Sequence, residues 1–195
     1  IQKFDEDGNI IAGGNKLTDV IVVPFARLLA KDEIKKETFS LELGINSSIT
    51  TPLARRITIS DVGASNEYRV NSPAGEYGIL YATASAGKSY LNYDSTNTHT
   101  ASIGGVRYWY AGLLFYQAGI AVLTASVFGS QLRTAGIGGA PLQFATNGEV
   151  VNAALTGSQI SGSADYFRRR IYNLQFNNTT ELNSTVYFCR ANHNE

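Results

Sequence analysis

The chain has 195 residues, of which 44% are apolar and 16% are charged, and its 16 basic side chains balance its 16 acidic ones. This length allows one domain with a sizeable core, while zero net charge argues against an electrostatic nucleic-acid binder and favours association with other chains. A membrane-spanning helix needs about 20 apolar residues. The longest apolar run, near residues 113–127, is broken by Gln117, Gly119 and Thr124, so we expect no membrane partner.

The composition favours β-structure with many turns. The chain contains 19 Gly, 11 Tyr and 9 Phe, and aromatic residues suit pleated sheets whereas Gly suits turns. Position 1 is Ile and the chain contains no Met. We therefore expect residues 1–195 to form a single β-rich module that is a segment of a longer chain.

The first half of the chain carries a series of strand patterns. Asp7-Gly8 between apolar flanks predicts a hairpin turn, and residues 28–36 predict either a short helix or a polar turn at Asp32-Glu33. Alternation with period two, or a β-branched run, predicts strands at Val20–Phe25, Thr38–Leu43, Arg56–Asp61 and Tyr77–Thr83.

The second half predicts two hairpins separated by loops. The most apolar part of the chain, residues 105–116 and 120–128 around Gln117-Ala118-Gly119, predicts a core hairpin. Residues 166–176 and 184–190 predict a terminal hairpin and a contact edge. Residues 84–105 and 129–165 predict Gly/Ser/Thr-rich loops, with one or two helical turns near 150–160. The fold class expected is mainly β, an antiparallel β-sandwich or barrel-like module with one or two short helices.

Two glycine-containing stretches resemble phosphate-binding motifs but lack a required residue. Residues 82–89 approach the phosphate-binding loop, which needs Gly where Ala82 stands and a helix after Lys88-Ser89. Residues 136–141 approach a dinucleotide fingerprint, but Pro141 occupies the third glycine position. Both stretches are interpreted as structural loops, and we expect no cofactor.

No constellation of residues predicts catalysis. The two histidines, His99 and His193, have no Cys, Asp or second His at ligand spacing, and the carboxylates are scattered. The single cysteine, Cys189, lies in an alternating run and is interpreted as a buried strand residue. We therefore expect no metal site and no enzyme activity.

Two clusters of residues remain as a candidate interaction surface. The run Arg168-Arg169-Arg170 fits either contact with phosphate or nucleic acid, or pairing of guanidinium groups with a neighbouring subunit, which we favour. Tyr108, Trp109 and Tyr110 fit either core packing, which we favour, or a platform that stacks on sugars. Alternation places Tyr108 and Tyr110 on one face of a strand and Trp109 on the other.

Strand-and-turn strings lie at residues 56–61, 116–123, 172–184, 187–191 and 193–195. These strings resemble a family of tailed-bacteriophage virion proteins of the marine and cyanophage type. The resemblance covers roughly residues 17–195, weakly at 84–105 and 129–165, and its members extend past the position of Glu195. It implies a structural protein of the tail, baseplate or neck, located in the virion and in contact with other virion proteins and copies of itself. It implies no catalytic residue. The alternative expectation is a receptor- or glycan-binding module of a phage tail or capsid fibre.

Overall fold

Most of the described strands form one large antiparallel sheet. The computed structural model describes residues 20–44, 51–54, 56–84, 100–124, 127, 164, 167–180 and 186–187. Eight strands join in a sheet that curls into a half-barrel, which confirms a mainly β, antiparallel and barrel-like fold. These strands are β1 (Val20–Pro24), β3 (Ser40–Gly44), β4 (Arg56–Ser60), β5 (Tyr77–Ala84), β6 (Thr100–Ile103), β7 (Val106–Phe115), β8 (Ile120–Thr124) and β9 (Ile171–Gln175).

Short elements connect and flank this sheet. β2 (Glu33–Ile34) pairs with β10 (Asn178–Thr179) in a separate two-stranded ladder. The helical elements that lie wholly within the described residues span a single turn each: α1 (Arg27–Ala30), η1 (Pro52–Ala54) and α2 (Ala64–Glu67). The sheet therefore supplies nearly all the regular structure of the described residues.

Strand β7 is the centre of the sheet because it has three neighbours. The order along the sheet is β1-β8-β7-β5-β4-β3-β9, with β6 beside β7. The first half of β7 pairs with β6, its second half pairs with β8, and β5 occupies its other edge. Gly112 is the first residue of β7 that pairs with β8, and its φ is 147°. A Cβ at this position would collide with the carbonyl oxygen of Val122. Only glycine fits this close approach of two backbones.

Alternating side chains bury both faces of the sheet. The inner cluster includes Leu41, Ile57, Leu80, Trp109 and Leu123. The outer cluster consists of Tyr77, Ile79, Tyr81, Leu113 and Phe115. Removal of these apolar and aromatic side chains from water is the main force that stabilises the sheet.

Most of the predicted strands are confirmed within a few residues. β1, β3, β4 and β5 lie where alternation or β-branched runs predicted them. The predicted core hairpin is β7 and β8, joined by residues 116–119. Residues 28–36 satisfy both alternatives in part, because α1 ends at Ala30 and Asp32 lies in a turn, whereas Glu33 already belongs to β2.

Two predictions need correction. Residues 100–103 were expected to belong to a loop, but they form β6 because four consecutive residues pair with β7. The strand expected from residue 166 begins only at Ile171, and among the described residues its sheet neighbour is β3. Most of its predicted hairpin partner, residues 184–190, lies outside the described residues. The other loop and turn predictions lie outside the described residues: the Asp7-Gly8 turn, residues 85–99, 129–163 and 188–195, with His99, Pro141, Cys189 and His193.

Candidate functional site

The arginine run does not form one surface. Arg168 and Arg169 are exposed, whereas Arg170 is 6% exposed. The chain turns at this point, since the Arg170 N–H donates to the carbonyl oxygen of Phe167 at 3.0 Å. The candidate surface at this end of β9 therefore includes Arg168 and Arg169 and loses Arg170.

Arg170 is joined to Gly44 at the end of β3 by two hydrogen bonds of opposite direction. The Gly44 N–H donates to the Arg170 carbonyl oxygen at 2.7 Å, and the Arg170 guanidinium donates to the Gly44 carbonyl oxygen at 3.1 Å. Burial lowers the pKa of Arg170 from its ordinary value, because a charged group loses hydration inside the protein. Arg170 is thus a structural residue that fixes where β9 begins.

The three aromatic residues of β7 divide between the two faces, as alternation predicts. Trp109 is 4% exposed and belongs to the inner cluster, so it is removed from the candidate surface. Tyr108 and Tyr110 are half-buried on the outer face. Their ring centroids lie 6.0 and 5.6 Å from that of Tyr81 on β5. These tyrosines form a contiguous group, which we call the tyrosine cluster.

Charged groups border the tyrosine cluster on one side. The Tyr81 hydroxyl donates to Glu67 Oε2 at 3.3 Å, which places an exposed carboxylate of α2 at the edge of the rings. Burial is the largest cause that raises the pKa of Tyr81, the charge of Glu67 adds to it, and Arg69 opposes it. The cluster combines partly exposed rings with hydroxyl and carboxylate groups, a combination able to bind a polar ligand that has apolar faces.

Asp61 is a buried polar side chain with several hydrogen-bond partners, and the sequence reasoning missed it. Asp61 is 1% exposed and follows β4. Its carboxylate accepts hydrogen bonds from the Glu37 N–H at 2.8 Å, the Phe39 N–H at 3.1 Å and the Tyr116 hydroxyl at 3.1 Å. Alternation places residue 61 on the same face as Ile57 and Ile59, so a carboxylate at an inward position was the signal that could have revealed it.

A lysine joins this buried carboxylate region to the surface. Lys36 Nζ lies 2.6 Å from Glu76 Oε2, 4.5 Å from the centroid of the Tyr68 ring and 5.1 Å from that of Tyr116. The carboxylate and the two aromatic faces all stabilise a positive charge. The arrangement closes the rim of the fold around Asp61 and leaves no evident reactive group.

Strand β9 presents an exposed and uncharged edge. Tyr172, Asn173, Leu174 and Gln175 are all exposed, whichever face of the sheet they belong to. The Arg56 guanidinium stacks on the Tyr172 ring, with Cζ 3.8 Å from the ring centroid. Arg56 Nε also lies 3.4 Å from Glu42 Oε1. The ring of Tyr172 is therefore held against the outer face beside a neutralised pair of charges.

The described residues hold no constellation typical of catalysis or metal binding. Within these ranges, no group of three His, Cys, Asp or Glu side chains is placed to hold a metal ion. Ala82 is a buried residue of β5, paired with Ile59 and Trp109, and the remainder of that glycine-containing stretch lies beyond the described part. Among the same residues, no helix is long and apolar enough to cross a membrane.

Comparison with known proteins adds no relative. No family model matches the chain, and no curated protein or solved structure shows significant similarity to it.

Proposed function

We propose that this chain is a structural component of a tailed-phage virion, located in the tail, baseplate or neck, that acts through protein–protein contacts rather than catalysis. The observation that carries the proposal is strand β9, which ends the sheet among the described residues and exposes four consecutive side chains, none of them charged. The resemblance of residues 172–184 to phage virion proteins supports the same role, because that string includes most of β9.

An exposed neutral strand edge is unusual in a chain that works alone. Edge strands carry unpaired N–H and C=O groups, and proteins commonly protect them with lysine, proline or a covering element. Residues 171–176 contain no charged residue, no Pro and no Gly, so they form a strand segment well suited to contact another polypeptide. The zero net charge of the chain points the same way, because no general electrostatic repulsion opposes assembly.

Mass spectrometry of purified particles tests the proposal directly. The particles are those of the phage that encodes the chain, purified by density gradient and treated with protease to remove adsorbed protein. Peptides from several of the strands should be recovered at a stoichiometry that fits a symmetric ring. Their absence from intact, infectious particles would refute a virion role.

Recognition of a receptor or glycan is a second candidate, favoured by the tyrosine cluster. Tyr108 and Tyr110 are half-buried and pack against Tyr81, whose hydroxyl donates to the carboxylate of Glu67, and aromatic rings beside polar groups suit a sugar platform. Binding to a glycan array should be lost on Tyr108→Ala and Tyr110→Ala. Tyr172→Ala, a change of an exposed tyrosine at the far end of the sheet, should leave it intact. Trp109→Ala does not serve as a test, because Trp109 belongs to the inner cluster.

A further inference from the structure

Beside the tyrosine cluster, the outer face of the sheet carries a strip of hydroxyl groups. Thr83 is the next residue of β5 on the same face as Tyr81, and it pairs with Thr58 on β4. Tyr81 itself pairs with Ser60 on β4, which in turn pairs with Ser40 on β3. These four residues carry hydroxyl groups and are each half-buried, and we call them the hydroxyl strip: Ser40, Thr58, Ser60 and Thr83.

The hydroxyl strip lies on strands that have a neighbour on both sides. β4 lies between β3 and β5, β5 lies between β4 and β7, and β3 lies between β4 and β9. The backbone of these strands is engaged in the ladders of the sheet, so a ligand on this face is recognised by side chains rather than by strand addition. From β7 to β3 the surface is roughly 14 Å long at about 4.8 Å per strand, which is a span of several sugar rings.

The groups on this surface match those of a sugar chain. Each hydroxyl can donate one hydrogen bond and accept two, so a hydroxyl that already has a partner in the protein can still bond a ligand. Sugar hydroxyls have the same capacity. The rings of Tyr108 and Tyr110 add apolar faces against which the C–H side of a sugar ring can pack. A peptide, in contrast, is held through its backbone and through pockets for its side chains.

The charges at the borders of this surface favour an uncharged ligand. The hydroxyl strip and the tyrosine cluster contain no acidic or basic residue. At the α2 border, the carboxylate of Glu67 accepts a hydrogen bond from the Tyr81 hydroxyl. At the β3 border, Glu42 Oε1 lies 3.4 Å from Arg56 Nε, so these two charges balance each other. An acidic chain would therefore meet a carboxylate at one border and a neutral ion pair at the other, and repulsion between like charges would weaken its binding.

We infer that the tyrosine cluster and the hydroxyl strip form one binding site for an uncharged, extended oligosaccharide that lies across β7, β5, β4 and β3. One sugar ring stacks on Tyr108 and Tyr110, and the rings that follow exchange hydrogen bonds with the strip. The inference rests on the glycan-binding candidate function and specifies its ligand, and it does not depend on a place in the virion. Tyr172 lies beyond the strip on β9, where the Arg56 guanidinium stacks on its ring, and it takes no part.

A chain-length series tests this site. The probes are cello-, manno-, xylo- and malto-oligosaccharides from disaccharide to hexasaccharide, titrated into the unchanged chain by isothermal calorimetry. In at least one series, affinity should rise with length until the strip is filled and then stay constant. Thr58→Val and Thr83→Val keep a β-branched side chain but remove a hydroxyl. Each should weaken binding of the longer chains by about fivefold and leave disaccharide binding unchanged. Ser102→Ala, which removes an exposed hydroxyl from the opposite face of β6, is the matched control and should change no affinity.

The outcomes separate this extended site from a platform that holds a single sugar. Xylo-oligosaccharides that carry glucuronic acid should bind less tightly than unsubstituted chains of equal length, and equal or tighter binding would overturn the inference. Equal affinity for disaccharide and hexasaccharide, long-chain binding that both Thr→Val variants leave unchanged, or glycan-array binding without a response in any series would each overturn the inference alone. If neither the array nor any series shows binding, the glycan-binding candidate fails as well. Particle composition decides the virion role independently of all these results.

Discussion

The hydroxyl of Tyr116 donates a 3.1 Å hydrogen bond to the carboxylate of Asp61, which lies 55 residues away in the chain. The bond connects the turn of the β7–β8 hairpin to the residue that follows β4. Asp61 also accepts hydrogen bonds from the N–H groups of Glu37 and Phe39, on either side of Thr38. Glu37 has a positive φ of 62°, so Asp61 also stabilises a turn that is unfavourable for a side-chain-bearing residue.

Replacement of Asp61 should be among the most destabilising single changes in the chain. Asp61→Ala leaves two backbone N–H groups and one hydroxyl without their acceptor, and buried donors without partners are costly. We expect a loss of about 4 kcal/mol in the free energy of unfolding. Tyr116→Phe is the matched control, since it removes one of the three bonds and should cost about 1 kcal/mol. Chemical denaturation measures the loss of unfolding free energy in both variants. Equal losses would contradict the role of Asp61 as the shared acceptor of three hydrogen bonds.

The buried carboxylate of Asp61 should also give stability a specific pH dependence. Burial raises its pKa above the ordinary 3.8, and the hydrogen bonds from Glu37, Tyr116 and Phe39 oppose the shift. The folded chain therefore holds this proton more tightly than the unfolded chain. The resulting contribution is fully present below pH 3.8 and is lost as pH rises through the raised folded pKa.

Asp61→Asn isolates this contribution, because the amide does not titrate. As pH falls from neutral, the unfolding free energy of the unchanged chain should improve relative to that of Asp61→Asn. Denaturant titrations of both proteins at a series of pH values measure the difference. A difference that stays constant, or that changes in the opposite direction, would contradict a raised pKa.

Three tyrosines should resist ionisation in alkaline solution. Burial is the largest cause that raises the pKa of Tyr77, Tyr81 and Tyr116 above the ordinary 10.0. Above pH 10 the unfolded chain loses these protons while the folded chain keeps them, so stability falls as pH rises. Absorbance at 295 nm should show that part of the tyrosine signal appears only with unfolding. Tyr116→Phe should reduce that delayed part, whereas full titration near pH 10 before unfolding would disprove the burial of these hydroxyls.

Gly112 should tolerate no side chain. Gly112→Ala would place a Cβ against the Val122 carbonyl oxygen, at a φ of 147°. We expect a loss of about 3 kcal/mol or more, because β7 and β8 would have to move apart. Gly104→Ala is a suitable control. Its φ is also positive, at 59°, but the space around it is open, so only the backbone cost of about 1 kcal/mol should appear. Thermal unfolding of the two variants compares these costs, and similar values would argue against the close approach.

Arg170 should behave unlike the two arginines before it. Arg170→Ala removes the buried hydrogen bond to Gly44 and should cost about 2 kcal/mol of unfolding free energy. Arg168→Ala and Arg169→Ala change exposed residues and should each alter stability by less than about 0.5 kcal/mol. The three variants differ only in position within one run. Equal losses of unfolding free energy in the three variants would show that the burial of Arg170 does not determine its contribution to stability.

Alternation along the chain was sufficient to predict most strands of the sheet, but not which strands lie next to each other. The strands at Ser40–Gly44 and Arg56–Ser60 bury one face and expose the other, so period two reveals them. β6 was missed because Thr100–Ile103 has few apolar residues and depends on β7 for its pairing. The pairing of β9 with β3 was missed because it joins residues far apart in sequence. Local pattern carries no information about such contacts.

The candidate site was predictable only where it depends on alternation. The separation of Trp109 from Tyr108 and Tyr110 followed directly from period two and is confirmed. The burial of Arg170 could not be foreseen, since it results from a turn after Phe167 and from the position of Gly44. The tyrosine cluster likewise requires Tyr81, which only the pairing of β5 with β7 brings beside Tyr110.

The strand order also determines when this protein can fold during its own synthesis. β1 pairs with β8, so Val20 waits for Thr124 to be translated, a gap of 124 − 20 = 104 residues. Ribosomes add roughly 5–20 residues per second, so this wait lasts roughly 5–20 s. β3 can pair with β4 soon after synthesis, but its other neighbour, β9, is the last strand of the large sheet to emerge. The nascent chain must therefore keep the apolar strand β1 from aggregating until β8 has emerged, and shielding by a chaperone or by the ribosome surface would meet that need.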